Sequence, residues 1–222
     1  MRKRNWLRDQ SLSIVLALLF LVFLLGQSLA GHRHYNEDQQ AHGQPTLSYG
    51  EYLGSSHFGE AVFENWESEF LQMGMYLLLT VFLFQRGSAE SKDPDEEEDP
   101  NELEKHRNDP NAPGPVRKGG LALALYKYSL ALAFLAMFLG SIYVHAATGM
   151  AEYNQEQAEH GEPPTTLMGY VGNARFWFES FQNWQSEFLA LLTMVILSIW
   201  LRTDSSPQSK PTWKPHHETG SE

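Results

Sequence analysis

Hydrophobic residues are gathered into four blocks along the chain, Leu12–Ala30, Phe70–Phe84, Ser129–Ala147 and Phe188–Leu201, separated by strongly polar stretches. Continuous apolar runs of this kind read as helices crossing a bilayer, not as amphipathic helices laid over a soluble core. A hydrocarbon layer of roughly 30 Å needs about 20 helical residues, and only the first and third blocks approach that length. Leu71–Phe84 offers about 14 apolar residues, some 21 Å of helix, and Leu189–Leu201 is shorter. One end of each short run is closed by polar residues, Gln85 and Arg86 in one case and Arg202 and Asp204 in the other. The other end must therefore draw in Trp66–Phe70 and Trp184–Phe188. The pattern predicts an all-α membrane protein with transmembrane helices over about 11–30, 66–85, 126–147 and 184–201.

The polar entrances of the short runs are nearly the same. FENWESEF at 63–70 returns as FQNWQSEF at 181–188, a shift of 118 positions. The same shift pairs Gly31 with Gly149, Tyr35 and Asn36 with Tyr153 and Asn154, His42, Gly43 and Pro45 with His160, Gly161 and Pro163, and Tyr52 with Tyr170. This reads as a tandem duplication of a two-helix unit. The first repeat is expected over 1–86, with an outer loop at 31–65, and the second over 121–202, with an outer loop at 148–183. Because each unit crosses twice, both begin in the same orientation, and the repeats are parallel.

Basic residues set that orientation, since Lys and Arg are retained on the cytoplasmic side. Arg2, Lys3, Arg4 and Arg8 precede the first block, six Lys and Arg from Arg86 to Lys118 lie between the halves, and Arg202, Lys210 and Lys214 follow the last block. The two outer loops hold only Arg33 and Arg175. Both termini are expected in the cytoplasm. The first block, with its basic start and the small-residue stretch ending at Ala30, also fits a cleavable signal peptide. Its internal copy at 129–147 must stay in the chain, which favours retention of both.

Submerging the short helices' entrances places Trp66 and Trp184 at the outer headgroup level as interface anchors. Glu69 and Glu187 then lie slightly deeper, where a carboxylate needs a partner. Asn65 and Glu69 are one helical turn apart, as are Asn183 and Glu187. Gln27 and His145 occupy equivalent places near the outer ends of the first and third helices. A polar cluster of Gln27, Asn65, Glu69, His145, Asn183 and Glu187 is expected, with packing and helix-dipole roles as the plainer alternative.

In the outer loops, 35–43 and 153–161 suit short helices stopped by Gly43 and Gly161, and Ser48 with Glu51 resembles a capping box. His42 and His160 fall at those helix ends, where an imidazole complements the dipole. They are also weak candidates for a metal, together with Glu69 and Glu187, although no compact metal spacing is present. The aromatic group Phe176, Trp177, Phe178 and Phe181 looks like an interfacial helix face. Composition changes this picture little. The mean hydropathy of -0.36 averages over segregated blocks, and much of the net charge of -11 sits in Asp93–Glu104. The acidic, Pro-rich linker over 87–120 and the tail over 203–222 read as disordered. With no cysteine, disulfides and thiolate chemistry are excluded.

The strings GHRHYNEDQQAHG, SSHFGEAVFENWESEFLQ and QRGSAESK, with HGEPP and FQNWQSEF in the second half, resemble an uncharacterised family of small bacterial four-helix integral membrane proteins, a domain of unknown function. The resemblance implies a bacterial inner-membrane location and supplies no activity or catalytic residue. The residues themselves favour a non-enzymatic structural or interaction bundle, without a cofactor or nucleic-acid partner, whose surroundings are the lipid bilayer and a homo-oligomer or other membrane protein. The alternatives are a small proton- or ion-coupled transporter using Glu69 and Glu187, and an intramembrane enzyme using Glu and His145 in acid-base work.

Overall fold

The computed structural model describes residues 6–96, 99 and 101–220, so Arg2, Lys3 and Arg4 of the N-terminal basic cluster and Glu97, Glu98 and Pro100 of the acidic run lie outside it. The described residues form helices and turns with no strand. In chain order the helices are α1 (Trp6–Asp9), α2 (Ser11–Ala41), α3 (Tyr49–Leu53), α4 (Ser56–Phe82), α5 (Glu102–His106), α6 (Gly114–Lys118), α7 (Gly120–Lys127), α8 (Ser129–Glu159), α9 (Leu167–Val171) and α10 (Ala174–Leu197).

The segments 35–43 and 153–161 are not separate short helices. They are the C-terminal ends of α2 and α8, which run unbroken for 31 residues each, about 46 Å at 1.5 Å per residue. Nothing between Leu12 and Ala41 breaks the helix, and Gly26 and Gly31 are tolerated within it. Both helices stop where Gly43 and Gly161 adopt φ of 70° and 73°, the left-handed conformation that a glycine reaches without strain. α3 starts with the capping box that its sequence spacing predicts: Ser48 Oγ accepts from Glu51 N, and Glu51 Oε2 accepts from Ser48 N at 2.8 Å. Ser55 caps α4, Thr166 caps α9 and Asn173 caps α10.

α4 is the central element. It packs along α8 more extensively than any other pair of helices and makes its next largest contact with α10. Small residues allow this approach, since a Cβ at Gly59 would meet Thr148 Cγ2 at 2.7 Å and one at Gly74 would meet Phe134 Cβ at 3.2 Å. The C-terminal ends of α2 and α8 lead into short polar connections pinned in the same way. Asn36 Oδ1 accepts from Leu47 N and its Nδ2 donates to Leu47 O, both at 2.8 Å. Asn154 brackets Thr165 likewise, at 2.7 Å and 3.0 Å.

These connections swing Tyr52 and Tyr170 back over α2 and α8, where both rings are fully buried. Each phenol rests against a glycine: a Cβ at Gly31 would stand 2.2 Å from Tyr52 Oη, and one at Gly149 would stand 2.5 Å from Tyr170 Oη. Gly149→Ala is therefore expected to destabilise the fold by about 1–3 kcal/mol, because a buried ring must move. Gly140→Ala, with nothing within 4 Å of the new methyl, should instead gain up to about 1 kcal/mol of helix preference. Thermal unfolding in detergent checks the contrast, and equal shifts would show that Tyr170 does not depend on the gap.

Among the described residues two helices, α2 and α8, are long and apolar enough to cross a membrane. Only 6% and 17% of their most apolar stretches are buried within the protein. At the opposite end from Tyr52 and Tyr170, residues 87–96 and 203–220, expected from composition to be disordered, instead hold one another. Lys210 is buried and donates to the carbonyls of Gly87 (2.5 Å), Glu218 (2.9 Å) and His216 (3.0 Å). Ser88 and Ser198 share a hydrogen bond at 2.9 Å, and Thr219 Oγ1 accepts from Gly87 N. A polar knot thus supplies the order that an apolar core would otherwise provide.

Candidate functional site

Where the N-terminal halves of α4 and α10 meet the C-terminal half of α8, the chain buries a group of ionisable side chains. On α4, Glu60, Glu64 and Glu67 recur at helical spacing and share a face. On α10, Arg175, Glu179 and Asn183 do the same. His145 of α8 lies between them and is fully buried, as are Glu67 and Ser180.

Glu67 is saturated. Its Oε2 accepts from His145 Nδ1 at 3.1 Å and its Oε1 from Ser180 Oγ at 2.8 Å. The imidazole is held flat by Phe176, whose ring stacks on it at 5.1 Å and 30°. The other ring nitrogen, Nε2, is buried with no hydrogen-bond partner among the described residues. Its neighbour is Glu179 Oε2, 3.5 Å away. Glu179 is positioned from two sides, with Arg175 Nε donating to Oε1 at 2.9 Å and the Tyr170 hydroxyl 3.1 Å from Oε2. The same hydroxyl lies 3.3 Å from Glu60 Oε1. Arg175 also reaches Glu156, and its guanidinium stands 3.9 Å from Glu60.

Burial pushes the Glu60 carboxyl up to about 7, the adjacent Glu179 charge adds to the effect and Arg175 only partly offsets it. Burial works in the same direction on Glu179, but His145 and Arg175 on either side hold its carboxyl below the ordinary range. The Tyr170 phenol is raised by burial and then by Glu60 and Glu179, so it stays protonated, with its one hydrogen shared between the two carboxylates. Arg175 keeps its charge against burial because Glu156 and Glu179 accept its hydrogen bonds. A polar cleft of about 270 Å³, lined by His34, His57, Glu60, Glu152, Glu156 and Arg175 among others, opens onto this group.

The residues expected to cluster are divided. His145 is at the centre, and Asn183 is at its edge, with Nδ2 3.4 Å from Glu64 Oε1. Gln27 and Asn65 are exposed and converge elsewhere, both donating to Ala61 O, at 3.3 Å and 2.9 Å. Glu69 is exposed, and Glu187 is half-buried with its backbone carbonyl accepting from Gln72. Trp66 packs edge-on to Phe63 and near Phe20, and Trp184 packs on Phe181, Trp177 and Phe138. His42 and His160 each donate from Nδ1 to a carbonyl of their own helix end, Asp38 O and Glu156 O, and neither belongs to the three-residue ligand group described below.

Glu60, Glu67, Tyr170, Arg175, Glu179 and Ser180 were not anticipated as one site. The readable signal was the spacing of Glu60, Glu64 and Glu67, together with places where the halves differ. In the 118-position register Glu67 faces Gln185, Glu60 faces Phe178, Glu179 faces Ala61 and His145 faces Gln27.

A family model described as a domain of unknown function, DUF6766, matches residues 3–221. The chain belongs to this family. Neither a curated protein nor a solved structure matches it. Within this DUF6766 chain the buried group is thus assigned by geometry alone.

Proposed function

We propose that this DUF6766 protein is a four-span integral membrane protein of the bacterial inner membrane, with both termini and the linker cytoplasmic, and that it binds a ligand or partner through its outer polar centre without transforming it. The observation that carries this reading is the placement of a fully buried Glu67–His145 pair just beneath an open polar cleft, at one end of a bundle whose flanks are apolar and uncovered. Burial of such a pair costs free energy that fold stability alone does not require. α8 supports the membrane setting, since it is internal to the chain and most of its apolar stretch is uncovered.

The element bounds support the duplication. α2 and α8 start at 11 and 129 and end at 41 and 159, α3 and α9 start at 49 and 167, and α4 and α10 start at 56 and 174, each 118 apart. α4 and α10, of 27 and 24 residues, are about 40 Å and 36 Å long and can reach across a bilayer when their motif-bearing entrances are included.

The absence of cysteine makes single-cysteine labelling a clean test. Gln44→Cys and Glu162→Cys, at equivalent exposed positions, should both react with a membrane-impermeant maleimide in intact cells. Gln208→Cys should react only after permeabilisation. Glu162→Cys labelled from the cytoplasmic side would mean that only α2 and α8 cross, and would overturn the four-span reading.

A further inference from the structure

We propose that Glu60, His145 and Glu179 form a binding site for a divalent first-row transition ion, of which Zn²⁺ is the representative. This deepens the binding reading above and names the ligand class of that same site. One imidazole nitrogen and one carboxylate oxygen from each Glu all lie within 4.8 Å of one another. Around a tetrahedral ion with ligand bonds of about 2.0–2.2 Å the donor atoms sit roughly 3.2–3.6 Å apart. His145 Nε2 and Glu179 Oε2, 3.5 Å apart, already meet that spacing, and rotation of the Glu60 side chain would bring in the third donor atom.

His145 Nε2 itself points to a ligand, since the Glu179 carboxylate that it faces stands 3.5 Å away without closing a hydrogen bond. It is a buried nitrogen without a hydrogen-bond partner, on a side chain with no exposed surface. Its ring is fixed from behind by Glu67, which accepts a hydrogen bond from Nδ1 and so turns Nε2, whose proton an incoming ion displaces, toward Glu60 and Glu179. A carboxylate behind a histidine in this way is the arrangement that orients imidazole ligands and raises their basicity.

The remaining groups serve the same end. Arg175 occupies Glu179 Oε1 and leaves Oε2 facing the imidazole. The Tyr170 hydroxyl, within reach of both Glu60 and Glu179, holds the two carboxylates on one side of the ring. A hard ion such as Ca²⁺ takes six to eight oxygens, whereas one imidazole with two carboxylates suits Zn²⁺ or its neighbours and leaves a coordination position open. Glu60 and Arg175 line the outer cleft, so an ion has a path from the aqueous side.

The test uses the full chain without an affinity tag, purified in detergent, stripped with EDTA and titrated calorimetrically with ZnCl₂, with bound metal counted after dialysis. One Zn²⁺ per chain is expected. Glu179→Gln should weaken binding at least about 10-fold, and a His42→Ala, His160→Ala double variant should bind as the parent does. His145→Gln removes the partner of buried Glu67, so the direct readout is X-ray absorption at the zinc edge of the unaltered protein, expected to show one imidazole among oxygen ligands. Substoichiometric binding, unchanged affinity in Glu179→Gln, loss in the His42, His160 variant, or a shell with no imidazole or several would each overturn the site. None of these outcomes alters where Glu162→Cys is labelled, so failure of the metal site and failure of the four-span reading are separable.

Discussion

Glu67→Ala is expected to destabilise the protein by about 3–5 kcal/mol, among the largest effects of any single substitution around the buried centre. The carboxylate accepts from His145 and from Ser180 with both oxygens and has no exposed surface. Removing it leaves a buried imidazole N–H and a buried hydroxyl without acceptors, which is the costly way to break a buried pair. Glu67→Gln keeps one carbonyl acceptor and should cost less, about 1–2 kcal/mol. Glu69→Ala, two residues on and exposed, should be close to neutral. Denaturant unfolding in a fixed detergent, followed by helical circular dichroism, ranks the three. Equal losses for Glu67→Ala and Glu69→Ala would show that the buried face of α4 has been wrongly assigned.

Phe176→Ala should cost a comparable amount, about 3–5 kcal/mol, through a cavity and not through charge. Phe176 is 1% exposed, packs with Ala146 and Tyr170 and carries the His145 ring on its face. Phe178→Ala should change stability little in detergent, since Phe178 is 69% exposed and touches the surroundings, not the core. The two residues fall in one aromatic stretch, yet two positions along a helix turn the side chain by about 200°, so one enters the core as the other leaves it. Thermal unfolding of the two variants checks this directly, and similar losses would contradict the burial of Phe176.

The same 200° explains which parts of the site were legible in the sequence. FENWESEF contains both Glu67 and Glu69, and the resemblance between the halves draws attention to Glu69 because Glu187 stands opposite it. Shared residues report what both units need, such as the Tyr52 and Tyr170 struts, the glycines beneath them and the stops at Gly43 and Gly161. The buried charges occur only once because α4, α8 and α10 converge there with no symmetric counterpart on α2. Glu67 facing Gln185 and His145 facing Gln27 mark the site by difference.

Element starts, caps and stops followed from local chemistry, as Ser48 with Glu51 shows. The outer extensions of α2 and α8 did not. Gly31 and Gly149 resemble boundaries in a linear reading, but in three dimensions they are gaps for a tyrosine approaching from another element. The contacts of the tail were not legible for a related reason, since Lys210 is satisfied by backbone carbonyls that no composition measure counts.

A double-mutant cycle between Glu67 and His145 tests the buried centre most directly. Glu67→Gln, His145→Gln and the double variant are unfolded under one set of conditions. A coupling energy above about 1.5 kcal/mol, with the double variant more stable than the sum of the single losses allows, is the expected result for a desolvated charged pair. Losses that add to within about 0.5 kcal/mol would mean that the two side chains do not interact, and the buried centre described for this DUF6766 protein would not exist.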